Sequence, residues 1–360
     1  MTDLLRTPLH AWHLAHNAKM TPFAGWDMPV HYTGIIAEHS HTREKASLFD
    51  ICHMGEFILK GAGAKDALAK ITTHNLNTVK IGYCRYGFLL NEDGGILDDL
   101  IVYHIDTNHY MLVVNAACRD KDFATIVSRL PAPLSLVDVS DKMGKIDLQG
   151  PASLAALERI LPGPWREMPY FSMTKAQFEG TELLISRTGY TGELGFELYI
   201  PSEKALQLWE ACIADPDVEP AGLGARDTLR LEVGLPLYGQ DIDANHTPAE
   251  AGYGGMLMSP DMYVGKSNAT NVREKLVGLA LEGRRSARHN DEVFLDGKKV
   301  GVVTSASFAP SLGHAVALAY VSAEYASSEQ FTIIAAKTAL SARRVELPFY
   351  TKGTARAKLA

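Results

Sequence analysis

Apolar positions recur with two periods along this chain, and their order predicts a mixed architecture. Leu9, Trp12 and Ala15 follow Thr7-Pro8, an N-cap with proline at the first helical position, so a short helix is expected there. Residues 23–26 and 28–32 read as a loop and a short strand, and residues 34–46 return to a helical period through Ile35, Ile36, His39 and Arg43. Residues 48–103 read as strands around one helix, in the runs LFDICHMGEFILKG, AKDALAKITT and RYGFLLNEDGGILDDLIVYHI. Asp93-Gly94-Gly95 between two apolar runs predicts a hairpin turn, because glycine takes positive φ at little cost. Residues 110–115 form a further expected strand and residues 120–130 a helix. Strands are then expected near 135–139 and 145–149, a helix over 153–161, and a second such unit to about residue 214. Strands and helices do not alternate regularly, so the class is α+β rather than doubly wound.

Residues 275–346 differ: short β-rich runs (LVGLALEG, EVFLDGKKVGVVTSAS, AVALAYV, QFTIIAA) separated by turn residues suggest a small terminal barrel or sandwich. A break near residue 273 is expected. The length of 360 residues suits two or three domains. With 46% hydrophobic and 21% charged residues the composition is that of a globular chain. Lys plus Arg is 35 against 42 Asp plus Glu, a formal charge of −7 without single-sign blocks, which argues against nucleic acid or an anionic membrane as main partner. No apolar run reaches the ~18 residues of a membrane span, and Asp3 and Arg6 interrupt any signal-like start, so a cytoplasmic protein is expected.

Cys52, Cys84, Cys118 and Cys212 have no metal-type spacing and read as free, mostly packing thiols. His39 and His41 form an HxH, but two residues apart on a helix their imidazoles point about 200° from each other, so no metal is expected. GAGAKD (61–66) and GLGARD (222–227) place Asp where a dinucleotide fingerprint needs its third glycine, and neither NAD nor a flavin is expected. No Walker loop, HExxH or GxSxG occurs.

Three segments carry candidate chemistry, each with a plain structural alternative. Asp98 and Asp99 follow the double-glycine turn in a strand, where successive side chains point to opposite faces; one of them can line a pocket, or both can mark a solvated strand end. RTGYTGELGFELYI (187–200) ends in an alternating strand that puts Phe196 and Glu197 on opposite faces, and it also fits a glycine-rich hairpin with a solvent-facing Glu. AGLGARDTLRLEVGLPLYGQDID (221–243) spaces Arg226, Arg230 and Glu232 helically, which also suits a buried, salt-bridged helix.

MTPFAGWDMPVHY, SLFDICHMGEF, NEDGGILDDLIVY, RTGYTGELGFE, AGLGARDTLRLEVGLPLYGQDI, TPAEAGYG and VGVVTSASFAPSLGHAVALAYV stand in the order found in the aminomethyltransferases of the glycine cleavage system, the T-protein family. The chain resembles that family over essentially its whole length. The resemblance implies a three-domain cloverleaf around a central folate cavity: a discontinuous α+β domain over 1–50 plus 135–273, an α+β domain over 51–134 and a C-terminal β-barrel-like domain over 274–360. It implies that an aminomethyl group arriving on the lipoyl arm of H-protein gives up its one-carbon unit to tetrahydrofolate, with release of ammonia. Tetrahydrofolate is then the acceptor substrate, lipoylated H-protein the partner, and neither metal nor redox cofactor is implied.

By the same resemblance Glu197 matches the carboxylate that accepts the guanidine-like edge of the pterin, and Arg226 the arginine of that site. Tyr190, Tyr86 and Tyr350 match pocket walls, and His53 and Met54 cavity or packing residues. Asp99 matches the essential aspartate, expected to stabilise an iminium-like one-carbon species and orient the nucleophile, with Asp98 the alternative if the register slips by one. Ser47 and Cys52 stand where the family's GLFDVSHM has Gly and Ser, and Gly255 where its AGLGW has Trp. Arg284, Arg285, Arg288, Lys298 and Lys299 form a candidate basic patch for an acidic partner, or a solvated rim. A related folate-dependent demethylase differs in the donor pocket alone. A non-enzymatic folate-binding maintenance protein would carry KGCYxGQE where this chain has LPLYGQDID.

Overall fold

The computed structural model describes residues 3–359. Its helices are α1 (His10–Ala15), α2 (Ile35–Glu44), α3 (Ala64–Ile71), α4 (Arg119–Arg129), α5 (Ser153–Ile160), α6 (Ala205–Ile213) and α7 (Leu223–Glu232). The first strands are β1 (Lys19–Phe23), β2 (Trp26–His31), β3 (Ala46–Asp50), β4 (Gly55–Lys60), β5 (Tyr83–Leu90), β6 (Ile96–Asp106), β7 (His109–Val114), β8 (Leu136–Asp138) and β9 (Met143–Gln149). They continue with β10 (Met173–Phe178), β11 (Thr181–Ser186), β12 (Gly195–Pro201), β13 (Val218–Pro220) and β14 (Glu274–Leu281). The last are β15 (Glu292–Leu295), β16 (Lys298–Ala309), β17 (His314–Ser322), β18 (Gln330–Ala335) and β19 (Thr338–Val345).

These strands make a β1-β2 hairpin, a six-stranded sheet ordered β10-β11-β12-β9-β3-β13, a five-stranded sheet ordered β5-β6-β7-β4-β8, and a closed barrel ordered β14-β17-β16-β15-β18-β19. The mixed α+β class holds, and the β-rich terminal segment closes as a barrel rather than opening as a sandwich. Strand β8 pairs with β4 through Phe57↔Asp138 and Leu59↔Leu136, so the five-stranded sheet runs past the boundary drawn at residue 134. Residues 19–23 form β1, which hydrophobic periodicity did not announce; Ala24 and Gly25 join it to β2 with φ of 50° and 85°, a turn whose twist suits a hairpin. Helix α1 starts at His10, two residues later than the proline suggests. The Thr7 hydroxyl accepts from Leu9 N–H at 3.3 Å and donates to Asp50 at 2.6 Å, so a tertiary bond holds it outside the helix.

Apolar side chains sort onto one face of each sheet. Ile146, Leu148, Phe196, Leu198 and Ile200 point from β9 and β12 into a core closed by Leu157, Trp165 and Trp209. Phe57, Leu100, Val102 and Leu112 meet Leu68 and Ile126 beneath the other sheet. Full burial of a Leu or Phe side chain contributes roughly 1.5–3 kcal/mol, so these clusters fix the register of both sheets. The opposite faces approach each other through Cys84, Tyr103, Met111, Met173 and Tyr199. As a result β9 is buried at every position from Gly144 to Gln149, although its sequence alternates charge with hydrocarbon.

Helix α7 ties the barrel to the rest. Arg230, 1% exposed, donates to Asp241 at 2.5 Å, to Ser305 of β16 at 2.8 Å and to the Leu235 carbonyl at 3.1 Å. Glu232 binds Arg43 of α2 at 2.9 Å and accepts from the Ser311 N–H at 2.8 Å. Among the described residues no helix is long and apolar enough to cross a membrane. Removing one partner of a buried pair strands the other charge, so Arg230→Ala should lower unfolding stability by about 3–5 kcal/mol in a urea titration. A loss below about 1 kcal/mol would show that the network does not hold the barrel in place.

Candidate active site

The polar face of the six-stranded sheet supplies one wall. Glu197 and Asp147 are direct cross-strand partners on β12 and β9, as are Tyr199 and Lys145, so alternation puts all four on the face away from the apolar core. Glu197 Oε2 accepts from Thr188 and Tyr199 at 2.9 Å each and from Tyr103 at 3.3 Å, with the Lys145 ammonium at 3.6 Å. Among the described residues no hydrogen bond reaches Oε1. Burial by itself raises the carboxyl's pKa, but the Lys145 and Arg226 charges and these hydroxyl donors bring it below the ordinary value. One oxygen is thus clamped and the carboxylate stays ionised.

Arg226 projects from α7 against the same wall. It donates to Asp147 at 2.5 Å, and its guanidinium lies 5.0 Å over the Tyr190 ring and 6.0 Å from that of Phe49. Burial, with the Glu197 charge adding, pushes Asp147 up to about 6 against the pull of Arg226. Gln149 steadies this corner: its amide donates to Asp147 at 2.6 Å and to the Thr188 carbonyl at 3.0 Å. The glycines of RTGYTGELG answer to that amide, since a Cβ at Gly189 or Gly195 would lie 2.1 or 2.0 Å from it.

The facing wall is the five-stranded sheet. On β6, Asp98 shares the inward, fully buried face with Ile96 and Leu100, while Asp99 shares the other face with Ile101 and Tyr103. Asp99 pairs with Phe88 across the strands, which brings Tyr86 to the same face. Asn115 donates to Asp99 Oδ1 at 2.8 Å. Burial first, and the Asp98 charge second, push Asp99 up to about 7. The Tyr86 hydroxyl lies close to this carboxyl without a well-aligned hydrogen bond, and burial pushes its pKa well up. An orphaned hydroxyl beside a carboxyl that titrates near neutrality is a natural place for a polar ligand.

Asp99, Tyr86, Tyr190, Arg226 and Met54 keep partial exposure although they stand between the sheets, so they border open space. Met54 packs against Ile51 and its sulfur accepts from Lys145 at 3.5 Å. The Tyr190 hydroxyl donates to the Pro236 carbonyl. Tyr350 stacks on Arg43 at 4.3 Å and helps line a separate cleft of about 370 Å³ with Thr188, Gly189, Glu193, Val233 and Arg356. That volume falls within the range of small-ligand sites. His53 is buried, its Nδ1 without a partner among the described residues, and burial pushes it down to about 4, so it is a neutral imidazole at pH 7.

Asp98 faces the interior of its own sheet, away from Asp99. His39 bonds Thr228 at 2.8 Å and Ser311 at 3.0 Å, and His41 reaches Ser47 at 3.2 Å, so the two imidazoles serve different partners. In the basic patch Lys299 pairs with Glu292 at 2.7 Å, Lys298 lies 3.9 Å from Glu324, and Arg284 stacks on Phe308 at 4.3 Å. This patch is therefore less cationic than its sequence suggests. All four cysteines are free and buried. Local sequence does not mark Lys145, Asp147, Tyr103 or Tyr199, which the structure brings to this wall. The available signal was the alternation KIDLQ opposite GFELY, which becomes informative once both strands are known to be covered.

Residues 9–259 match the GCVT N-terminal domain family and residues 274–351 the glycine cleavage T-protein C-terminal barrel domain. Together these two matches span nearly the whole chain and place it in the T-protein class. The aminomethyltransferase of Halothermothrix orenii is 41% identical over 354 residues, covering 96% of this chain and 99% of the relative, and that of Exiguobacterium sibiricum is 40% identical, covering 98% and 99%. The crystal structure of glycine cleavage system aminomethyltransferase T from Bartonella henselae superposes with a TM-score of 0.92 at 34% identity, covering 98% of this chain and 99% of that one. The chain belongs to the glycine cleavage T-protein family, and the enzyme is an aminomethyltransferase.

Lys145→Met tests the electrostatics of the wall. Glu197 has a folded pKa below its unfolded value of about 4.5, so its stabilisation is present above that pH and lost as pH falls through the folded value. Urea unfolding should show a loss of about 3 kcal/mol at pH 7 that shrinks in acid, whereas an equal loss at both pH values would contradict the pairing.

Proposed function

We propose that this enzyme takes the methylene carbon of an aminomethyl group carried on the lipoyl arm of H-protein and delivers it to tetrahydrofolate. The carbon–sulfur and carbon–nitrogen bonds of the donor break and two carbon–nitrogen bonds form to the folate. The two protons lost by the folate nitrogens end on the lipoyl sulfur and on ammonia. The products are 5,10-methylenetetrahydrofolate, ammonia and dihydrolipoyl H-protein.

The observation that carries this reading is the placement of two carboxyl groups of different character on facing sheets. Glu197, clamped at Oε2 and ionised, suits a fixed acceptor for the adjacent N–H and amino groups of a pterin edge. Arg226 and Tyr190 form a flat, polarised surface beside it, suited to a conjugated ring. Asp99 has a different task. A carboxylate at the reacting centre stabilises the positively charged one-carbon unit as it forms, and a pKa of about 7 also lets it hold one of the protons leaving the folate nitrogens. Tyr350 and the cleft beside Thr188 offer a wall for the outer part of the ligand.

Purified enzyme given aminomethyl-loaded H-protein should release ammonia much faster once tetrahydrofolate is added; unchanged release removes the assignment. Because the Asp99 pKa is raised, the carboxylate predominates only above about 7, so the rate at saturating substrates should climb as pH rises through that value. Asp99→Asn should lower kcat by about 10²-fold or more and leave tetrahydrofolate affinity within a few-fold. For Glu197→Ala the folate dissociation constant should rise by roughly ten-fold or more, and an unaltered constant would contradict the pterin role.

A further inference from the structure

Behind Asp99 lies a group of acids for which the transfer chemistry has no direct use. Asp98 has no exposed surface and accepts from the Asn115 N–H at 3.0 Å and from its side-chain amide at 2.9 Å. That same amide nitrogen donates to Asp99 Oδ1 at 2.8 Å and to the Asp99 carbonyl at 3.1 Å. Asn115 is thus a bridge between the two faces of β6. On the inner side Asp122 of α4 completes the group, also with no exposed surface, and among the described residues neither of its oxygens receives a hydrogen bond.

A buried carboxylate with no donor is an unstable arrangement. Its nearest cation, Lys121, stays 3.9 Å from Oδ1 and is committed elsewhere: it donates to the Leu97 carbonyl, to the Tyr238 hydroxyl at 3.1 Å and to Cys118 Sγ at 3.4 Å. Asp98, Cys118 and Asp122 bring their ligand atoms within 4.8 Å of one another, a spacing that also fits a metal ion. The Lys121 ammonium already supplies the positive charge of that corner, which disfavours a second cation. A proton resolves the conflict more simply, because a neutral Asp122 has an O–H to give and Asp98 has oxygen lone pairs to take it.

We propose that Asp122 stands protonated and donates to Asp98, and that this acid pair, coupled through the Asn115 amide, is the positioning device that orients Asp99 and sets its protonation. Asp98 and Asp122 are positioning residues, since neither reaches the open space between the sheets. The groups facing Asp122 are Asp98 from β6, Cys118 and Lys121, with the Asp99 charge acting from across the strand. Those facing Asp99 on the other side are Tyr86, Tyr190 and Tyr253, whose hydroxyls burial holds neutral. Burial first and the Asp98 charge second push Asp122 up to about 10, in keeping with a proton retained at pH 7. The catalytic consequence rests on the transferase reading above; the protonation does not.

The test is carboxyl ¹³C NMR of aspartate-labelled full-length protein between pH 5 and 9, in the wild type, Asp122→Asn, Asp98→Asn and Asp99→Asn. One resonance should keep its protonated position past pH 8 and be missing from Asp122→Asn. The Asp99 resonance should titrate near 7 in the wild type, stay within roughly 0.3 unit of that in Asp122→Asn, which replaces one neutral donor by another, and fall by roughly one unit or more in Asp98→Asn, which removes a charge. An ionised Asp122 at pH 7, an Asp99 midpoint that falls as far in Asp122→Asn as in Asp98→Asn, or a stoichiometric metal lost on Asp122→Asn would each overturn the proposal. Asp122→Asn keeps the size and the donor, so its spectrum decides the point even if Asp98→Asn does not fold. If the resonances behave as expected but the pH profile of ammonia release does not follow Asp99, the acid pair stands and the transferase role of Asp99 fails.

Discussion

The contact between two sheets through their polar faces governs the rest of this structure. Sheets ordinarily bury their hydrocarbon side and leave the other wet. Here the hydrocarbon sides are taken by helices, and the remaining faces close on each other with Lys145, Asp147 and Glu197 between them. Charges so placed must neutralise one another locally, because stranding any one of them costs several kcal/mol. Pairing Lys145 with Glu197 and Arg226 with Asp147 meets that demand while leaving partial exposure at Arg226, Tyr190, Tyr86 and Asp99. A tight tyrosine contact, Tyr103 to Tyr199 at 2.8 Å, fixes the separation of the walls.

Helix α7 makes that arrangement depend on the barrel. Successive turns present Arg226 to the site, Arg230 to Asp241 and β16, and Glu232 to α2 and the Ser311 backbone. One ten-residue helix therefore carries the arginine of the candidate site and two charges that hold neighbouring elements. The reading of the segment as a salt-bridged helix holds for all three charges, since Arg226 pairs with Asp147 as Arg230 does with Asp241 and Glu232 with Arg43. The C-terminal segment adds to this joint, with the Tyr350 N–H donating to the Glu232 carbonyl at 2.7 Å and the Tyr350 ring stacking on Arg43.

Much of the fold was legible in the chain. Hydrophobic period placed α2, α4 and α5, the Asp93-Gly94-Gly95 turn placed β5 and β6, and short β-rich runs placed the barrel. What failed locally has physical causes. Strand β1 is partly exposed and has no alternation to reveal it, and Thr7 is drawn out of α1 by Asp50. In the site, strand parity separated Asp98 from Asp99 and Phe196 from Glu197, and similarity of motifs selected the member of each pair that faces the opposite sheet. Nothing local marked Lys145 or Asp147, whose strand reads as half-exposed.

Alternation, capping and turn chemistry act over a few residues, so the chain alone determined which side chains share a face and which elements form. It also determined the family, through many motifs in fixed order. Which face becomes dry was decided by the tertiary structure, because burial depends on a second sheet distant in sequence. The same holds for protonation: Asp99 and Glu197 are both strand carboxyls, and burial raises the one while the Lys145 and Arg226 charges lower the other. Desolvation and charge pairing are properties of the assembled neighbourhood.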